Sequence, residues 1–252
     1  MQLESKVAVI TGAARGLGRA YAVAMAAEGA SVLACDISDC SETVAEVTAA
    51  GGRIESVVTD ITDMASCRAM AEAAVSAFGR IDILVNNAAL YATLKGARFE
   101  DLDEAQWDAV MNVNIKGVWQ CCKAVVKPMR EAGGGSIINV SSLAAVYGLP
   151  YGLDYVASKA AVIGMTRGMA RELGKDLIRV NAIAPSAVMT EGTQDFFGEK
   201  FEKAKSVIAQ GQIIQRNLDP ADLTGTVVYL ASDASSLVTG QTHMVDGGSW
   251  FL

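Results

Sequence analysis

Lys6-Val-Ala-Val-Ile-Thr11-Gly12-Ala-Ala-Arg15-Gly16-Leu17-Gly18, continued at residues 31–36 by Ser-Val-Leu-Ala-Cys-Asp, is the stretch that decides the fold. The first run is short, apolar and β-branched, the pattern of a strand buried on both faces of a parallel sheet. It feeds straight into three glycines. An alanine-rich stretch from Arg19 to about Glu28 then reads as a helix. Gly29 follows, where a glycine past a C-terminus belongs. The second strand ends in an acid, Asp36.

This strand–turn–helix–strand unit is built for a dinucleotide. Glycines let the backbone turn tightly and approach a phosphate closely. The helix N-terminus offers free N–H groups and a partial positive charge. A carboxylate about 20 residues further on accepts hydrogen bonds from the adenosine ribose hydroxyls. Asp36 occupies that place and would repel a 2′-phosphate, which favours NAD over NADP. Arg15, inside the glycine loop, argues the other way, while Ile37 brings no positive charge. We weigh Asp36 above Arg15.

The strand–helix alternation continues outward. Helical patterns fall at Ser41–Ala50 and Met64–Phe78, and strands at Ile54–Thr59 and Ile81–Asn86. In open parallel sheets ligands lie outside the carboxyl ends of the strands. Thr11, Asp36, Asp60 and Asn86 to Ala89 are therefore expected along one edge. Asp103 to Arg130 reads as one long helix capped by Asp103, with Asn112 and Asn114 inside it despite their poor helix propensity. Ser136–Ser142 and Ile178–Ala184 are further strands, with Ser142 emerging at the edge and Pro185 following the second. Glu191 to Arg216 breaks the rhythm and carries Phe196, Phe197 and Phe201. An insertion there is expected to form a substrate lid, whose aromatics either cap a substrate or pack the lid down, two readings of equal weight. Asp219–Ala231 is a helix with Pro220 in its first turn, and Thr242–Val245 the last strand.

Tyr155 and Lys159 stand four apart in a helix expected from Val156 to Leu173, which sets both side chains on one face. A cation beside a phenol favours the ionised form. Tyr155 is thus a candidate acid/base, with a pKa expected to fall toward neutral. Alone, the spacing is a weak signal that also describes an ordinary helix surface.

Bulk properties narrow the alternatives. At 252 residues the chain fits one α/β domain, with 51% apolar and 19% charged residues. The net charge of −7 disfavours nucleic acid and anionic membranes as main partners. No apolar run approaches the roughly 18 residues of a membrane span. Met1–Ser5 lacks the character of a secretory leader, so a cytoplasmic location is expected. The five cysteines, Cys35, Cys40, Cys67, Cys121 and Cys122, include no Cys-x-x-Cys and read as packing residues. The one histidine, His243, supports neither a His-rich metal site nor a Ser-His-Asp triad, and no metal is expected.

Taken together, Thr11-Gly-x-x-x-Gly-x-Gly18, Asp60, Asn86-Asn87-Ala88, Asn114, Ser142, Tyr155-x-x-x-Lys159, Pro185 and Thr190 resemble the short-chain dehydrogenase/reductase family over the full length. The resemblance implies a doubly wound Rossmann fold of about seven parallel strands, usually a homotetramer. It implies that Tyr155 is the general acid/base and that Lys159 lowers its pKa and holds the nicotinamide ribose. Ser142 would bond the substrate oxygen, and Asn114 a relay water. Gly12, Gly16 and Gly18 would pack on the pyrophosphate beside Arg15 and Leu17. Asp36 would hold the adenosine ribose and Asp60, with Ile61, the adenine. Asn87, Ala88 and Ala89 would contact the adenosine side, and Pro185, Val188 and Thr190 the nicotinamide. Ala89 stands where the family has glycine, and Ser186 where it has the glycine of Pro-Gly. Both are expected to tune the site.

The expected reaction is reversible hydride transfer between NAD(H) and a secondary alcohol or ketone. Leu143, Tyr147, Leu149, Tyr151, Ser186 and the lid phenylalanines suggest a mainly apolar, aromatic or cyclic substrate. One rival is an NADP(H)-dependent ketoreductase such as an acyl-thioester reductase. The other is a dinucleotide-binding sensor without turnover, which the complete set Asn114, Ser142, Tyr155 and Lys159 disfavours.

Overall fold

A computed structural model describes residues 1–251. Seven parallel strands form one sheet: β1 (Val7–Thr11), β2 (Ser31–Asp36), β3 (Arg53–Val58), β4 (Ile83–Asn86), β5 (Gly135–Val140), β6 (Ile178–Pro185) and β7 (Thr242–Val245). Their order is β3-β2-β1-β4-β5-β6-β7. The winding reverses between β1 and β4, and a crevice opens at such a switch point.

Helices cover both faces. They are α1 (Gly16–Ala27), α2 (Ser41–Ala49), α3 (Met64–Phe78), α4 (Glu104–Met111), α5 (Val118–Glu131), α6 (Ala144–Tyr147), α7 (Leu153–Leu173), α8 (Glu191–Phe197), α9 (Phe201–Gln210) and α10 (Ala221–Ala231). Alternate residues of each strand point to opposite faces. Ala8 and Ile10 of β1 therefore join Tyr21, Met25, Val47 and Leu223 under α1, α2 and α10. Val9 joins Met70, Cys121, Val125 and Leu173 under α3, α5 and α7. The two cores are why β1, β4 and β5 tolerate almost no polar residue.

The exceptions are paired. Asn86 donates to Asn139 Oδ1 at 2.8 Å and Asn139 to Thr166 Oγ1 at 2.9 Å, a buried row running from β4 to α7. Asn86 thus faces the second core and not the ligand edge where the sequence placed it. Its position is the last of β4, and strand alternation turns it inward.

Element bounds follow the sequence closely at β2, α3 and β7. Helix α1 starts three residues earlier than its alanine pattern, because the glycine turn winds directly into it. The expected single helix over Asp103–Arg130 is interrupted. Asp103 does cap it, accepting from Ala105 N–H, but Asn112–Gly117 is a π-helical segment between α4 and α5. Such a segment widens one turn to i→i+5 bonding. Asn114 sits in that turn and is buried. The five cysteines are all buried and free, and Cys121 and Cys122 pack in the second core. No helix among the described residues is long and apolar enough to cross a membrane.

Candidate functional site

The glycine turn is held by the end of β4. Thr11 Oγ1 accepts from the N–H groups of Asn87 and Ala88, each at 3.1 Å. Asn87 Nδ2 donates back to the carbonyls of Thr11 and Gly12. Gly12 lies at φ +67° and Gly16 at +56°, the left-handed region that glycine enters freely. A Cβ on Gly12 would also stand 2.8 Å from Ala88 Cα. Beyond this clamp α1 begins with no side chain capping it, and Gly16 and Leu17 border an open cavity. Uncapped first-turn N–H groups facing such a cavity suit a pyrophosphate. The donor set fits a dinucleotide.

Asp36 is fixed beside that turn. Its Oδ2 accepts from Ala14 N–H and its Oδ1 from Ser38 N–H, both at 3.0 Å. It shares a shallow depression with Arg15, Arg19, Asp39, Glu42 and Glu191. Neither arginine there is free. Arg19 pairs with Glu42 at 2.7 Å, and Arg15 with Asp195 of α8 at 3.0 Å. The carboxylate of Asp195 arrives from 180 residues away, and no local pattern announces it. Asp60 is exposed and turned on its own loop, accepting from Thr62 N–H and Oγ1. Ile61 is buried between α3 and the π-helical turn, where its side chain lies against Gly117.

The cavity, about 370 Å³, opens at the carboxyl edge of the sheet. Arg15, Gly16, Leu17, Asn87, Ala89, Ser142, Leu143, Tyr147, Tyr155, Lys159, Pro185, Ser186, Val188 and Thr190 all line it, as the sequence led one to expect. Gly12, Gly18 and Ala88 stand behind the wall as its support. Tyr151 and Phe201 do not reach the cavity. Tyr151 is 66% exposed at φ +64° beside Gly96, and Phe201 lies on the far side of α8 near Gly16 and Arg19.

Two side chains of α7 define the chemistry. Lys159 is buried and donates from Nζ to the Val140 carbonyl at 2.8 Å. Its Nζ lies 5.7 Å from the centre of the Tyr155 ring. Burial pulls the Lys159 ammonium down to about 8. Burial also pushes the Tyr155 phenol up to about 12, against a smaller opposing pull from the Ser142 hydroxyl. The lowering expected for Tyr155 is therefore reversed in this structure. Desolvation of the phenolate is the largest cause, and the Ser142 hydroxyl offsets only part of it. Ser142 is held in turn by Ala144 N–H, which donates to its Oγ.

Asn114 is near but enclosed. Its Oδ1 accepts from Leu90 N–H at 2.7 Å, and its Nδ2 donates to the Leu90 carbonyl and to Ser158 Oγ. Ser158 Oγ donates to the Tyr155 carbonyl, so Asn114 ties the loop after β4 to the turn carrying Tyr155. Asp154 anchors the same turn. It is buried and accepts from Tyr155 N–H and Gln106 Nε2, each at 2.8 Å.

Tyr91 is the residue that sequence reading passed over. It lies two positions beyond Ala89, at the carboxyl end of β4, and that placement was its only signal. Its ring is 5.2 Å from that of Tyr155 and stacks on Phe196 of α8 at 4.7 Å and 19°. Phe197 meets Phe196 edge-on at 5.1 Å. Burial pushes the Tyr91 phenol above its ordinary value, with the Tyr155 phenol adding to that and Thr193 opposing it. Among the described residues no group of three or more His, Cys, Asp or Glu is arranged to hold a metal ion.

A family model described as enoyl-(acyl carrier protein) reductase matches residues 12–249. The 3-oxoacyl-(acyl-carrier-protein) reductase of Thermotoga maritima is 42% identical over 250 residues, 98% of this chain and 99% of that protein. The 2-dehydro-3-deoxy-D-gluconate 5-dehydrogenase of Dickeya dadantii is 40% identical over 98% of this chain and 96% of its own. Among solved structures, levodione reductase superposes with a TM-score of 0.92 at 34% identity, covering 97% of each chain. With Tyr155, Lys159 and Ser142 around one cavity beside a glycine turn, the chain belongs to the short-chain dehydrogenase/reductase family of nicotinamide-dependent oxidoreductases.

Proposed function

We propose that this oxidoreductase moves a hydride between NAD(H) and a neutral, mainly apolar secondary alcohol or ketone, aromatic or cyclic in shape. The observation that carries the reading is the convergence of Tyr155, Ser142 and Lys159 on one cavity that also meets the uncapped start of α1. Bound nicotinamide supplies the hydride acceptor and donor. The chain supplies placement and the proton.

In the reducing direction Tyr155, protonated at neutral pH, gives its phenolic proton to the substrate oxygen. Ser142 donates to the same oxygen, where charge builds during transfer. In the oxidising direction the phenolate takes the hydroxyl proton. Lys159, held by the Val140 carbonyl, presents its charge to the nicotinamide ribose and to Tyr155. Asn114 keeps Tyr155 in place through Ser158. Gly12, Gly16 and Gly18 give the pyrophosphate a close approach, with Thr190 and Val188 at the nicotinamide end. Ser186 narrows the substrate end.

NAD is favoured because Asp36 is fixed by two N–H groups while Arg15 is engaged by Asp195. The segment 191–216 acts as the substrate lid, with Phe196 and Phe197 on its inner side. A homotetramer is the assembly we carry with this reading, and gel filtration with light scattering tests it. For the reaction, NADH and NADPH are titrated by fluorescence, and turnover is followed with a panel of ketones. Tight NADH binding, weak NADPH binding and turnover of neutral cyclic ketones are expected. Tight NADPH binding would instead favour the acyl-thioester reductase, the activity named for the Thermotoga relative.

A further inference from the structure

Three aromatic rings from two separate segments meet beside the candidate catalytic phenol. Tyr91 comes from the loop after β4, Phe196 and Phe197 from α8. Leu143 and Tyr147 line the same cavity. That lining carries no acid and two cations, and both are engaged: Lys159 by the Val140 carbonyl, Arg15 by Asp195. A substrate carboxylate or phosphate would have to compete with the Val140 carbonyl for Lys159 and with Asp195 for Arg15, so its desolvation would be poorly compensated. A ring, by contrast, gains from offset contact with Tyr91. The cavity of about 370 Å³ must also take the nicotinamide, which suits a compact ring better than a long chain.

We propose that Tyr91 is a specificity-determining residue: its ring, steadied by Phe196 and set against Tyr155, is the surface on which a neutral cyclic substrate lies. The proposal rests on the hydride-transfer reading above and names the substrate class for that site. The stack places Tyr91 in two contacts at once, so the ring that receives substrate is fixed by the lid. The ring face, not the hydroxyl, makes the selection.

The test compares 2-tetralone with 2-decanone, a linear ketone of equal carbon number, in wild type, Tyr91→Phe and Tyr91→Leu. NADH titration first checks that each variant holds the cofactor. Y91L is expected to lose roughly five- to tenfold in kcat/KM for 2-tetralone, carried by KM, with 2-decanone little changed. Y91F is expected to behave as wild type. An equal fall in kcat for both ketones would make Tyr91 a positioning residue for Tyr155 and overturn the proposal. So would no change in either. Should Y91L not fold, Phe196→Leu, which strips the stack from the lid side, is read the same way. If wild type turns over neither ketone, the hydride-transfer reading fails by itself. Tyr91 is then judged by calorimetric binding of 2-tetralone to the NADH complex. Loss in Y91L with retention in Y91F supports the proposal, and equal binding or none by wild type ends it.

Discussion

Replacing Asp195 with Asn separates the two residues that compete over the adenosine end of the site. The change removes the charge that holds Arg15 and keeps the size of the side chain. The magnitude follows from the geometry. The pair is short, 3.0 Å, but each partner is 53% exposed. Exposed ion pairs contribute at most about 1 kcal/mol, which is about fivefold in an equilibrium. Freed Arg15 therefore brings NADPH at most about fivefold in kcat/KM. Asp36 stays where it is, because its two hydrogen bonds come from backbone and not from Arg15. NADH should thus remain the preferred cofactor, changed by less than about twofold. Steady-state kinetics with both cofactors at fixed salt reads the effect. Adding Arg15→Ala to the Asp195→Asn background should cancel the gain. A gain beyond tenfold, or a reversal of preference, would show that Arg15 governs the site and that the weight placed on Asp36 is wrong. A gain that survives Arg15→Ala would refute the sequestration itself.

Tyr155→Phe should cut turnover by orders of magnitude while NADH affinity, measured by fluorescence, stays near wild type; preserved turnover would remove Tyr155 from its role. Oxidation needs the ionised phenol. With that group pushed up to about 12, turnover at saturating NAD should climb up to about tenfold per pH unit from pH 7 to 8, and less steeply up to pH 10 as Lys159, pulled down to about 8, loses its charge. Reduction, which needs the protonated phenol, should show no loss from phenol ionisation in that range, and an oxidation plateau already at pH 7 would mean that burial does not set the phenol. Gly18→Ala should abolish NADH binding and lower Tm by several degrees. Its Cβ would press on the Gly12 carbonyl and stand 2.8 Å from Asn87 Nδ2. Normal NADH binding there would show that the turn is not the rigid clamp described.

What could be read in the sequence was whatever depends on neighbours along the chain. Strand alternation, the glycine turn and the Tyr155–Lys159 spacing are local, and from them came the sheet and many of the side chains that line the cavity at its carboxyl edge. Contacts between distant segments were not legible. Asp195 meets Arg15 only because α8 folds back over the glycine turn. Tyr91 matters because Phe196 lands on it. Asn86, taken for a residue of the ligand edge, faces inward, where Asn139 accepts from it and is itself held by Thr166. The Tyr155 phenol moved opposite to expectation for a related reason. Spacing reports a nearby cation, but only the packed structure reports how much water has been removed around both groups.

The π-helical turn at Asn112–Gly117 lets one rod serve two clients. Ahead of it, Gln106 of α4 reaches Asp154; within it, Asn114 reaches Ser158; beyond it, Cys121, Val125 and Met129 lock α5 into the core under α3. Those faces are out of phase for a regular helix, and the one surplus residue corrects the phase. Deleting a single residue there would restore regular bonding yet swing everything after it by about 100°. The length of the stretch is therefore locked as firmly as Asn114 and Gly117 within it: a lost codon anywhere in the turn undoes both attachments at once.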